Sequence, residues 1–263
     1  MIWTHTISPY IFDIHGVALS WYWFFYLFDF FLCFWLAQFW LKKGQLRINE
    51  DQLFQMFTYG WLGLLIGARL FYVIAYYPSY YFENPGSIVR FWEGGMSFHG
   101  ALIGLIISCW LLARKEKKHL YDFTDVLALS TAPALFFGRI GNFINGELWG
   151  RPTSGSWGVI FPQAGPEPRH PSQLYEAGLE GLTIFILVVV LSKKKNQPGF
   201  LSWSFVLAYG LGRFLVEFFR EPDRQLGEVL LHLSMGQWLC LAMIASGSFG
   251  LFKTYKPIKE ARS

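Results

Sequence analysis

Four clusters of polar residues hold the chemistry available to this sequence. The densest is Gly138-Arg139-Ile140-Gly141-Asn142-Phe143-Ile144-Asn145-Gly146-Glu147, running on to Gly150. If this run is helical, Arg139, Asn142 and Gly146 fall on one face. A guanidinium fork, an amide and bare backbone side by side make a cradle for phosphate oxygens. The second cluster is Gly94-Gly95-Met96-Ser97-Phe98-His99-Gly100. A lone histidine of this kind is often no more than a hydrogen-bonded residue, but His99 is also the one group here that could titrate near neutral pH as a base. The third is Tyr209, Arg213, Glu217 and Arg220, whose spacings of four, four and three put them on one helical stripe. The fourth is Arg169-His170-Pro171-Ser172-Gln173-Leu174-Tyr175-Glu176, part of which reads as helix-start chemistry around Pro171.

The elements that must position these clusters are membrane spans. The 263 residues are 53% hydrophobic and 20% aromatic but only 15% charged, against about a quarter charged in a soluble domain. Apolar stretches near the length that crosses a bilayer lie at 18–40, 53–76, 96–113, 123–140, 176–192, 199–218 and 235–252. This predicts an all-α polytopic membrane protein of about seven helices, a single integral-membrane domain over 1–263, with residues 141–175 as a small head. Residues 1–17 and 77–95 carry Trp3, Tyr10, Tyr76, Tyr77, Tyr80, Tyr81 and Phe82, and read as interfacial arms. No Lys or Arg precedes Lys42, so the basic region of a cleavable signal peptide is lacking and the first span is expected to stay in the protein. Cys33, Cys109 and Cys240 sit in apolar stretches without a C-x-x-C and read as small buried hydrophobes. A net charge of only +4 argues against a nucleic-acid partner. No nucleotide loop or metal-ligand spacing is found, so no cofactor and no metal are expected.

Basic residues cluster on one set of connections: around Lys42, Lys43 and Arg47, at Arg114 to Lys118, at Lys193 to Lys195, and in the tail from Lys253 to Arg262. The other set holds only Arg90, Arg151, Arg169, Arg220 and Arg224. The positive-inside rule then puts the N-terminus outside, on the periplasmic side, and the C-terminus in the cytoplasm. All four clusters fall near the outer leaflet. Arg69, Arg139 and Arg213 lie inside apolar segments, where an arginine costs about 2.5–3.5 kcal/mol even on lenient insertion scales. Each therefore needs a partner or a task. A structural ion pair is the plainer reading, for instance Arg213 with Glu217 one turn on; for Arg69, near an interface, the pair and a functional role stand level.

Taken together, the clusters resemble the prolipoprotein diacylglyceryl transferases. The resemblance runs from Tyr22, in Leu19-Ser20-Trp21-Tyr22, to Ser234-Met235-Gly236-Gln237, with GRIGNFINGELWG at 138–150 as its strongest element. GGMSFHG at 94–100, RHPSQLYE at 169–176 and YGLGRFLVEFFREPD at 209–223 follow the family's order. It implies transfer of a diacylglyceryl group from phosphatidylglycerol to the lipobox cysteine of a prolipoprotein signal peptide, forming a thioether and releasing glycerol phosphate at the bacterial inner membrane. It further implies functional positions at Tyr22, His99, Arg139, Asn142, Glu147, Gly150, Arg213 and Glu217. Arg139, Asn142 and Gly150, with Asn145 and Glu147 beside them, are assigned to the phosphate and glycerol of the donor. Arg213 is assigned to the developing charge of the leaving group, with Glu217 holding its fork, and Tyr22 to hydrogen-bond donation. His99 is a general base or orients the thiol; an arginine-polarised thiol needs no histidine, so the residue that takes the proton stays open.

Two rival readings start from the same residues. A transporter for an anionic lipid would need polar groups continuing toward the cytoplasmic half, where only Asp29 and Asp125 are found. A structural membrane protein would have no use for four such dense clusters.

Overall fold

The structure is a computed structural model, and it describes residues 2–14, 17–193, 197–221, 228–230 and 233–255. Lys194, Lys195, Arg224, Lys256, Lys259 and Arg262, and the Pro222-Asp223 end of the fourth quoted motif, lie outside the described residues. The helices are α1 (Trp21–Lys42), α2 (Glu50–Ala75), α3 (Pro78–Glu83), α4 (Phe98–Lys115), α5 (Leu120–Ile144), α6 (Ser172–Ser192), α7 (Phe200–Glu217) and α8 (Met235–Thr254). A helix covers most of each of the seven expected spans, although residues 18–20 of the first are strand and the helix of the third begins only at Phe98. Six of them, all but α7, are long and apolar enough to cross a membrane, and α7 is the helix that carries both Arg213 and Glu217. On α1, Trp23, Leu27, Phe31 and Trp35 recur every fourth residue and are all exposed. An apolar stripe turned outward is what a lipid-facing helix presents. The chain is a multi-pass membrane protein.

Contacts divide the chain into two compact units, residues 38–126 and residues 1–37 with 127–263. In the 38–126 unit, α2 begins at a capping box. Gln52 N–H donates to Asn49 Oδ1 at 2.8 Å, and Asn49 N–H donates to the Gln52 side chain at 3.1 Å. Gly63 and Gly67 of α2 face Gly100 and Gly104 of α4 so closely that a Cβ at Gly67 or Gly104 would run into the opposite backbone. This is the small-xxx-small packing that brings membrane helices together. Asp125 takes Arg47 as a partner at 3.5 Å, which removes one of the two polar residues that a conduction path would have used.

The other unit contains a three-stranded sheet. β1 (Trp3–Thr4) runs parallel to β4 (Val159–Ile160), which pairs antiparallel with β5 (Pro168–Arg169). β2 (Tyr10–Ile14) and β3 (Val17–Ser20) form an antiparallel hairpin that leads straight into α1. α5 ends at Ile144, so Gly146 (φ +65°) lies beyond the helix rather than on the face of Arg139. α7 and α8 pack closely at Gly247, where a Cβ would meet the Leu207 backbone at 2.8 Å. Antiparallel β6 (Glu228–Leu230) and β7 (Leu233–Ser234) precede α8, which opens on a capping box formed by Ser234 and Gln237.

Candidate active site

The signature run leaves α5 through a bend that other residues hold in place. Asn142 donates from Nδ2 to Glu147 Oε1 at 2.8 Å, and Asn145 reaches the same oxygen at 3.4 Å. Leu148 follows at φ +56°, a left-handed conformation that costs a non-glycine residue about 1–3 kcal/mol unless its surroundings impose it. The fully buried Ser172 and Gln173 do so: the Ser172 hydroxyl donates to Leu148 O at 3.1 Å, and the Gln173 amide donates to Glu147 O at 2.5 Å. Gly150 sits where chains converge. Its N–H donates to His170 O at 2.9 Å, and a Cβ there would meet His170 at 2.7 Å and also Phe219 O. Arg169 donates to Gly150 O at 3.1 Å and pairs with Glu221 at 3.0 Å. The expected helix-start run at 169–176 is thus a brace for the signature bend.

Behind the bend stands a cluster of alternating charges. Arg139 Nε lies 2.7 Å from Glu176 Oε2, and its Nη2 lies 3.4 Å from Glu180. Arg213 reaches Glu176 at 3.3 Å, Glu180 at 3.7 Å and Glu217 at 2.8 Å. Arg220 donates to Glu176 at 3.1 Å. Glu176 and Glu180 are completely buried, whereas the side chains of Arg139, Arg213 and Arg220 keep 20%, 16% and 12% of their surface. Glu176 and Glu180 are thus the innermost members of the cluster, and the three arginine side chains are partly exposed. Glu217 is held in turn by Ser234, whose hydroxyl donates to Oε1 at 2.9 Å.

α6 is not a regular helix here. Residues Ala177–Thr183 wind as a π-helix, and the Thr183 hydroxyl donates to Gly178 O at 2.8 Å. Such widened turns recur at functional sites, where they re-aim side chains. Gly181 lets this turn press on Phe136 of α5, since a Cβ would meet the Phe136 backbone at 2.6 Å. α5 carries Arg139 one turn further on. Three guanidinium groups and three carboxylates thereby share one low-dielectric site, with the paired charges that burial demands.

Arg139, Asn142, Asn145, Glu147, Gly150, Arg213, Glu217 and Tyr22 all belong to this one unit. Tyr22 is bound through its hydroxyl to that of Tyr26 at 2.9 Å. His99 belongs to the other unit, in the first turn of α4, where its exposed ring lies near Phe71 and Phe98. Glu180 is missing from the sequence-derived set, and Glu176, Arg220 and Ser234 appear there only inside their motifs. Outside the spans, burial lowers the pKa of His170 below its ordinary value, and its Nδ1 lies 3.2 Å from the Tyr175 hydroxyl.

A profile of the family described as prolipoprotein diacylglyceryl transferase matches residues 9–253. Among similar curated proteins is the phosphatidylglycerol–prolipoprotein diacylglyceryl transferase of Nitratidesulfovibrio vulgaris strain DP4, 45% identical over 242 residues and covering 92% of each chain. The proteins of the same name from Oleidesulfovibrio alaskensis and Bordetella parapertussis are each 46% identical. They cover 94% of this chain, and 93% and 94% of their own.

Proposed function

The chain belongs to the prolipoprotein diacylglyceryl transferase family, and we propose that it does the family's chemistry at the arginine–carboxylate cluster behind the signature bend. It is a transferase, acting at the first step of lipoprotein maturation. The donor is phosphatidylglycerol and the acceptor is the lipobox cysteine of a prolipoprotein signal peptide. The thiol gives up its proton, and sulfur attacks the diacylglyceryl carbon that bears the phosphodiester oxygen. A C–S bond forms as the C–O bond breaks, and the electron pair leaves on the oxygen of glycerol phosphate.

A thiol with pKa about 8.5 is a weak nucleophile until deprotonated, and the phosphate oxygen gains charge as it leaves. Cations already fixed in a water-poor site stabilise that charge without reorganising. The observation that carries the reading is the arrangement of Arg139 and Arg213, each pinned to buried carboxylates while its side chain stays partly exposed. Arg139 and Asn142 would hold the donor phosphate. Asn145, Glu147 and the backbone at Gly150 would shape the headgroup site, and Arg213, fixed by Glu217, would meet the leaving group. Tyr22 would donate a hydrogen bond nearby, and His99 would take or orient the thiol proton. The reading includes a bacterial inner-membrane location with the site toward the periplasm, which the distribution of basic residues supports.

Incubation of the purified protein with phosphatidylglycerol and a lipobox peptide tests this directly. Mass spectrometry is expected to find a diacylglyceryl adduct on the peptide cysteine. An unmodified peptide with folded protein would overturn the reading.

A further inference from the structure

Of the two readings left level for Arg69, the ion pair is not what the structure shows. Among the described residues no carboxylate lies within pairing distance, and the side chain is only 2% exposed. Its guanidinium is instead spread over main-chain carbonyls of the segment that follows α3. Nε donates to Ile88 O at 2.9 Å, Nη2 to Ser87 O at 2.6 Å, and Nη1 to Gly95 O at 3.1 Å and to Gly94 O. The Tyr81 ring centroid lies 5.3 Å from the guanidinium carbon and that of Phe91 lies 6.0 Å away, so two aromatic groups flank the cation. Gly94 and Gly95 have φ of +83° and +75°, and a Cβ at Gly95 would meet the Arg69 side chain itself at 2.7 Å. The segment is then tied to α2 again, by the Ser97 N–H on Ala68 O at 3.0 Å, and Ser97 caps α4. His99 is the second residue of that helix.

We propose that Arg69 is a positioning residue for His99. One planar cation collects the carbonyls of Ser87, Ile88, Gly94 and Gly95, fixes the path of the segment, and so sets where α4 begins and where His99 stands. Lysine cannot replace it, because a point charge on a flexible stem lacks the fork that reaches several carbonyls in one plane. The inference rests on the reading that His99 acts on the thiol.

Steady-state transfer by Arg69→Lys, Gly95→Ala and His99→Gln, with hydrogen exchange across residues 87–97, tests it. Gly95→Ala keeps the guanidinium but forces the carbonyls off it. Both positioning variants are expected to lose protection in 87–97 and to lower kcat about tenfold to a hundredfold, the scale of a small misplacement. The KM for phosphatidylglycerol should stay within about threefold. Where His99→Gln leaves measurable turnover, adding Arg69→Lys to it should lower the rate little further, because both act through one group. Loosened exchange with wild-type kcat overturns the inference, as does a loss confined to KM, or failure of both variants to fold, which would leave Arg69 a role in the fold alone. If His99→Gln itself transfers at the wild-type rate, the reading of His99 falls instead, whatever Arg69→Lys does.

Discussion

Arg139 Nε and Glu176 Oε2 are 2.7 Å apart, and the carboxylate has no exposed surface. The same carboxylate also serves Arg213 and Arg220, at 3.3 and 3.1 Å. Glu176 is therefore the common anchor of the three cations, although the sequence presented it only as the last residue of a helix-start motif.

Glu176→Gln should weaken the site and the fold together. Breaking one partner out of a buried pair costs about 3–5 kcal/mol, because the remaining charge is left uncompensated. The thermal midpoint of the detergent-solubilised protein should fall and transfer should drop at least tenfold. An unchanged melt with full activity would show that the anchor is dispensable.

His170 gives the acid side of the stability profile a direction. Burial holds its pKa below the ordinary value, so the unfolded chain takes up a proton where the folded protein resists it. Stability from this group is intact above the unfolded value of about 6.5. It is lost as pH falls through the window between the unfolded value and the lower folded one. Melts at about pH 7.5 and pH 5.5 should differ less in His170→Gln than in the parent. An equal difference in both proteins would exclude His170 as a source of the acid sensitivity.

Replacing Cys33, Cys109 and Cys240 together with alanine should leave transfer largely intact. All three are buried free thiols, in apolar surroundings where a thiolate is costly, and the reacting sulfur belongs to the substrate. Loss of turnover in a folded triple variant would point to a covalent intermediate on the enzyme.

That cysteine-free protein also reports orientation. Single cysteines placed at Ile2 and at Glu260, of which only Glu260 lies outside the described residues, can be offered a membrane-impermeant reagent in intact spheroplasts. Only the first should react, given where the basic residues cluster. The reverse pattern would turn the arginine cluster toward the cytoplasm and remove the substrate-facing side from the account.

Much of the helical frame could be read from the sequence because membrane spans announce themselves by length and apolarity. In-span arginines stood out for the same reason, as costly exceptions. Glu180 was missed although its signal was present: it is a second charge in an otherwise apolar span, four residues after Glu176. A carboxylate needs a cation, and the nearest in-span candidates were the arginines already singled out. The pairing of Trp3–Thr4 with Val159–Ile160 left no trace, since two-residue strands carry no alternation. Gly146 was placed on the helical face of Arg139 because nothing in Phe143-Ile144-Asn145 marks the helix end at Ile144. For Arg69 an ion pair and a functional role stood level because backbone carbonyls, its actual partners, are invisible to residue type.

The most direct test of the central claim is the steady-state comparison of Arg139→Lys and Arg213→Lys with phosphatidylglycerol as the varied substrate. Both variants keep the charge and lose the two-pronged geometry. If Arg213 meets the leaving group, its variant should lose about a hundredfold in kcat, the scale of one lost transition-state donor, with KM little changed. If Arg139 holds the donor phosphate, its variant should raise KM as well. Near-wild-type kcat/KM in both folded variants would contradict the account, and so would substantial turnover after Arg213 and Glu217 exchange places.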